Sequence, residues 1–320
     1  MARFDCLGAL ETLATRCAAV QRGESCLIII DTDSDRAIVD AFAAVLTQLE
    51  THVVITEYAR ASLPGDEPPA AICAAMLHAD VIFELTSIFV GSSPARRAAC
   101  EGGARYLAVP GLTWATLRPG GPFAADFAAL GDHSRRLAGL FDDATRFRLT
   151  SPAGTDLAGS CEGRRGRPLW GIAAERGGFA APPDIEVGVS PTEGTATGRV
   201  VVDGSILFLG PDQLGRPIEL TFEAGLLVDC TGPDSWRLLD AIERSGDERM
   251  RVLAEVSVGL NPFSRPGGSA LELEGIVGGA HVAVGNNVAY GGSNNAPSHI
   301  DCVLLDATLW LDDEQVDPVA

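Results

Sequence analysis

Glu255, His281, His299 and Asp301 bring this chain's metal-binding residue types together in one short stretch. It reads LAEVSVGLNP, then ELEGIVGGAHVAVG, then GGSNNAPSHIDCVLLDATLWLDD, and it holds two of the five histidines in 320 residues. Residues i and i+2 of an extended strand project from the same face, so His299 and Asp301 can point at one ion. His281 in AHVAVG and Glu255 in LAEVSVG read as members of further strands, separated by glycine-rich turns. Imidazole nitrogens and carboxylate oxygens are donors for zinc, manganese, cobalt and non-haem iron alike. Charge on otherwise apolar strands is costly to bury unless it is paired or bound to a metal, so the pattern points to a metal centre.

The elements that must position these groups fall into two halves. Up to about residue 150, strand and helix alternate. SCLIIIDTD, HVVITEYA, DVIFELTS and RYLAVPG read as strands, with helices from about Ala37 to Gln48, in AAICAAMLHA and in SPARRAACEGGA. That alternation predicts a parallel sheet with helices on its faces. No glycine-rich phosphate loop follows any of these strands, so a nucleotide site is unsupported. Asp31, Asp33 and Asp35 in IIIDTDSD read as turn and helix-capping residues. From about Thr150, Gly and Pro become frequent, short alternating strands dominate, and one helix is expected near 235–245. The expected architecture is therefore α/β: an N-terminal β/α domain (1–150) and a C-terminal β-rich α+β metal-binding domain (151–320). The basic patch CEGRRGRPLWG reads as a solvated loop, although Arg164, Arg165 and Arg167 have the geometry to meet a substrate carboxylate.

The net charge of −19 argues against nucleic acid or an anionic membrane as a partner. No run of about 18 apolar residues appears, and MARFDCLGALETLATRCAAV carries acid early, so neither a span nor a signal peptide is expected. The eight cysteines form no C-x-x-C pair and fit reduced, buried thiols in a cytoplasmic protein.

The site residues also carry a family resemblance. The run E-x-x-x-G, G-x-H-x-A-x-G and GG-x-N-x-A-P-x-H-x-D, closing on LWLDDE, resembles the aminopeptidase T family of metallopeptidases. Upstream, DIEVGVSPTEGTATGRVVVDGSI and ARRAACEGGARYLAVPGLT are similar to further segments of that family. The 2,5-dihydroxypyridine 5,6-dioxygenases, of the same lineage, look similar in chain length and in the G-L-x-P and H-x-D segments. The aminopeptidase resemblance implies a ligand set of Glu186, Glu255, His281, His299 and Asp301 around two ions of zinc, cobalt or manganese. The expected reaction is hydrolysis of an amide or short peptide by a metal-activated water, in a homodimer. In the dioxygenases a histidine stands at the position of Glu255 and makes a single iron(II) site with His299 and Asp301. Here that position is Glu and His281 is an added imidazole, which favours the hydrolase, with the iron dioxygenase as the alternative. Glu274 is the proton-moving carboxylate expected, with Glu272 and Glu193 behind it. Tyr290 is the other catalytic candidate. It lies two residues off the register of the peptidases' tyrosine, which falls on Val288. Asn294 and Asn295 are expected to cap their loop.

Overall fold

The computed structural model describes residues 3–210 and 213–319; Met1, Ala2, Pro211, Asp212 and Ala320, which include both ends of the expected domains, lie outside them. The chain forms two compact units, Met1–Ala128 with Trp170–Pro183, and Ala129–Leu169 with Asp184–Ala320.

The first unit is built on a five-stranded parallel sheet. Its order is His52–Tyr58, Ser25–Asp31, Val81–Glu84, Arg105–Ala108 and Phe179–Ala180. The β-branched run Ile28, Ile29 and Ile30 fills the buried Ser25–Asp31 strand, as a parallel sheet covered on both faces requires. Helix Arg36–Gln48 starts where Asp35 accepts a hydrogen bond from Ala37 N, and helix Pro94–Gly102 where Ser93 accepts from Arg96 N. Asp31 accepts from both the amide and the hydroxyl of Ser87 at 2.7 Å, so the acidic cluster after the first strand is absorbed in turns and caps.

The chain crosses between units three times, where the sequence suggested one crossing at 150. Phe179–Ala180 joins the parallel sheet beside Arg105–Ala108, although it follows the first strands of the other unit. Arg146–Thr150, which falls within the expected first domain, pairs instead with Asp156–Ser160 and Thr308–Leu311 of the second unit. The 17-residue helix Phe127–Asp143, which carries no strong start signal, was not anticipated.

The second unit contains two antiparallel sheets. The seven-stranded one runs Leu226–Thr231, Ile218–Glu223, Thr197–Val202, Asp156–Ser160, Arg146–Thr150, Thr308–Leu311 and Glu314–Gln315. The five-stranded one runs His299–Leu304, Ala280–Gly285, Leu253–Gly259, Glu186–Val189 and Arg167–Leu169. In this second sheet Val187, Val189, Val256, Val258, Val282, Val284, Ile300 and Cys302 are all buried, and strand alternation puts them on one face. The other face is the polar one. The α/β class expected from the sequence is thus the class adopted. No described helix is long and apolar enough to cross a membrane.

Candidate metal centre

Register alone assembles the site. Ser257 stands opposite both Gly188 and His281; Ala283 stands opposite both Glu255 and Asp301; Gly285 stands opposite His299; Gly259 stands opposite Glu186. Directly paired residues share a face, so Glu186, Glu255, His281, His299 and Asp301 all project from the polar face of one sheet. Gly188 makes the close approach possible. A Cβ there would lie 1.5 Å from Ser257 Oγ and 3.0 Å from Glu255 Oε1. Ser134 of the unanticipated helix braces the ligand strand, its hydroxyl donating to the Glu186 carbonyl at 2.7 Å.

The donor atoms converge. His281 Nε2 lies 3.0 Å from Glu186 Oε2 and 3.3 Å from Glu255 Oε1. His299 Nε2 lies 3.1 Å from Glu255 Oε2 and 3.0 Å from Asp301 Oδ1. Two overlapping sets, Glu186–Glu274–His281 and Glu255–His281–Asp301, each bring one atom per residue within 4.8 Å of one another. Glu186, Glu255 and His281 are fully buried.

A count of protons shows what this geometry lacks. His299 Nδ1 sits 2.6 Å from the Asn286 carbonyl, which can only accept, so Nδ1 carries the ring proton. In a neutral ring the Nε2 lone pair would then face two carboxylate oxygens. Glu186 Oε2, Glu255 Oε2 and His281 Nδ1 are buried and make no hydrogen bond among the described residues. Leaving such atoms unmet costs about 1–3 kcal/mol each, more when charged. A cation bound by Nε2 of both rings and by the carboxylates removes that cost, and a backbone carbonyl fixing the far ring nitrogen is the usual support for a metal-bound histidine. The residues fit a divalent metal.

The protonation equilibria agree. Burial raises the Glu255 carboxyl, but His281 and His299 outweigh burial and hold it at about 2. Both imidazoles are driven well above their ordinary range: burial opposes this, and Glu186 with Glu255, or Asp301 with Glu255, overcomes it. Burial, then the charge of Asp301, pushes Glu274 well up, and burial with Glu186 and Glu274 does the same to Asp184.

Other expected residues are placed as follows. Glu274 is no solvated turn residue: it is buried in the short helix Ala270–Glu274 and belongs to a donor set. Tyr290, despite its shifted register, reaches the centre. Its hydroxyl donates to Glu186 Oε1 at 2.8 Å, and its ring stacks on His299 with centroids 5.7 Å apart and planes at 6°. Val288 is exposed. Glu193 and Glu272 lie outside both donor sets. Glu193 pairs with Arg164 and accepts from Asn287 Nδ2 and Ser293 N, and Glu272 accepts from Arg265 N. Asn294 donates to the carbonyls of Arg249 and Gly285, and Asn295 accepts from Asn286, so both shape the loop. Ser257, whose hydroxyl donates to Glu255, was overlooked, although the same i, i+2 rule that links His299 to Asp301 links it to Glu255. Asp184 was overlooked too; only its place two residues before Glu186 hinted at it.

The family model described as NicX, 2,5-dihydroxypyridine 5,6-dioxygenase, matches residues 7–317. A 2,5-dihydroxypyridine 5,6-dioxygenase of Pseudomonas putida (strain KT2440) is 25% identical over 188 residues, 55% of this chain and 54% of that one. The match therefore spans about half the length of that relative. Among solved structures, 2,5-dihydroxypyridine dioxygenase from Pseudomonas putida KT2440 has a TM-score of 0.73 at 19% identity, covering 100% of this chain and 97% of that chain. Wild-type AmpT from Thermus thermophilus has a TM-score of 0.69 at 19% identity, covering 98% of each chain. At such identity both likenesses are of fold.

The family match overturns the expectation of a hydrolase, aminopeptidase or metalloprotease. What stands is an enzyme whose carboxylate and imidazole groups could hold a metal; a second ion is not shown. The misreading has a physical source. Imidazole and carboxylate donors accept zinc or iron equally, so the ligand types did not choose between hydrolysis and oxygen chemistry.

Proposed function

The chain belongs to the 2,5-dihydroxypyridine 5,6-dioxygenase family, and from that premise we propose that it opens a hydroxylated pyridine ring with dioxygen at a single ferrous ion. One observation in this chain supports the reading best: His281 and His299 both turn Nε2 toward the Glu255 carboxylate, with Asp301 beside them. Two imidazoles with a carboxylate are the donor set of non-haem iron(II) oxygenases. Here the second imidazole comes from His281, and Glu255 supplies a carboxylate where the family's relatives were expected to hold a histidine.

His281, His299, Glu255 and Asp301 would hold the ion. When bound, ferrous iron supplies the one-electron chemistry that lets ground-state dioxygen react with a closed-shell ring. The chain's own residues do the rest. The Asn286 carbonyl locks the His299 ring so that Nε2 faces inward. Tyr290 covers one flat side of His299 and keeps water from it. Its hydroxyl donates to Glu186 Oε1 and fixes that carboxylate beside His281 Nε2. Glu274, its carboxyl pushed well above the usual carboxylate range by burial and then by Asp301, lies beside Glu186 and His281.

Metal analysis of anaerobically purified protein, with oxygen uptake on 2,5-dihydroxypyridine, tests this reading. The expected result is one iron per chain, and one dioxygen consumed per ring opened. Zinc-loaded protein that hydrolyses aminoacyl amides, with no oxygen uptake once iron is restored, would overturn it.

A further inference from the structure

We infer that Arg167 recognises the ring oxygen lying across the substrate from the reacting hydroxyl, an assignment that rests on the ring-cleaving reading. Arg167 opens the edge strand Arg167–Leu169 and pairs with Gly188, which puts it on the same sheet face as the metal donors. It is not a solvated loop residue. Its Nη1 donates to the Ala289 carbonyl at 2.6 Å, in the turn that carries Tyr290. Its guanidinium carbon lies 5.3 Å from the centroid of the Tyr290 ring, and that ring stacks in turn on His299.

The guanidinium has five N–H donors, and this hydrogen bond uses one of them. Nε is buried and makes no hydrogen bond among the described residues. No carboxylate among them pairs with Arg167, whereas its neighbour Arg164 is neutralised by Glu193. A partly buried guanidinium with an unmet Nε donor, one aromatic ring away from the metal donors, is built to receive an anionic oxygen. In 2,5-dihydroxypyridine the 5-hydroxyl belongs to the bond that is cleaved, and the 2-oxygen stands para to it. With the 5-hydroxyl at the metal centre, the 2-oxygen is the group available to the Nε edge. Arg167 thus selects rings that carry oxygen at both positions, and stacking on Tyr290 keeps its fork preorganised.

Calorimetric binding to iron-loaded protein under argon tests this without turnover, with 2,5-dihydroxypyridine and 3-hydroxypyridine, which lacks the second oxygen, as probes. Wild-type protein should prefer the dihydroxy ring. Arg167→Gln, and Arg167→Lys, which keeps the charge but loses the fork, should weaken that ring roughly 10–100-fold and leave 3-hydroxypyridine within about twofold. Iron content and melting temperature verify that the variants are intact. Equal weakening of both rings would show that Arg167 merely supports the Ala289 turn, and it overturns the assignment. So does unchanged binding, or a wild type that does not distinguish the two rings. In those cases the wild type still cleaves the dihydroxy ring. If it neither binds nor oxidises that ring, the ring-cleaving reading has failed as well.

Discussion

Glu84 in the first unit and Glu255 in the second are both fully buried carboxylates on β-strands, yet their surroundings answer them differently. Glu84 is served by the protein alone. It accepts from Val90 N at 2.7 Å, Tyr106 Oη at 2.8 Å and Thr86 Oγ1 at 3.0 Å. Burial still pushes its pKa up to about 7, against the pull of those three hydrogen bonds. Around Glu255 acceptors outnumber donors: Glu186, Asp301 and Glu274 crowd two imidazoles, and three buried atoms have no hydrogen bond among the described residues. A buried acid by itself is thus a poor mark of function. An imbalance of donors and acceptors that only a cation resolves is a better one.

The largest effect that contrast predicts lies at the ligands. Asp301→Ala and His299→Ala should cut bound iron and oxygen uptake to below about a hundredth of wild type, because ligands matter more than the supporting residues whose loss costs 10–100-fold. Glu84→Gln should keep both. Full iron content in Asp301→Ala, read by elemental analysis, would break the contrast.

A smaller effect concerns pH and belongs to Glu84. Its folded pKa is raised from 4.5 to about 7, so folding favours the protonated form. The stability this contributes is complete below the unfolded value and declines as pH climbs from about 4.5 to about 7, by on the order of 3 kcal/mol. Hydrogen exchange of the amides in residues 25–31 and 81–84 should report that decline in wild type and a flatter profile in Glu84→Gln. An identical profile in the two proteins would remove Glu84 as its source.

The smallest effect sharpens the role of Tyr290. Tyr290→Phe keeps the ring on His299 but removes the hydrogen bond to Glu186, worth about 1.5–3 kcal/mol when the acceptor is charged. Iron binding should weaken roughly tenfold. Unchanged affinity in a competition titration would make that contact incidental.

Strand-borne features were legible in the sequence because a side-chain period of two is a local rule. It placed His299 and Asp301 on one face and marked the runs around Glu255 and His281 as strands. The β/α alternation of the first unit and the Ser235–Ser245 helix were equally visible. What only the tertiary structure decided depends on pairing between distant segments. Strand register brought Glu186 and Arg167 to the same face as residues some 70–135 positions later in the chain. A turn closed by Arg167 and Asn287 carried Tyr290 onto His299 despite its shifted position, and a short helix buried Glu274. The course of the chain between the two units followed from Phe179–Ala180 finding its partner strand far upstream. Local chemistry could name the donors, but only the pairing of strands could show which of their hydrogen bonds are missing.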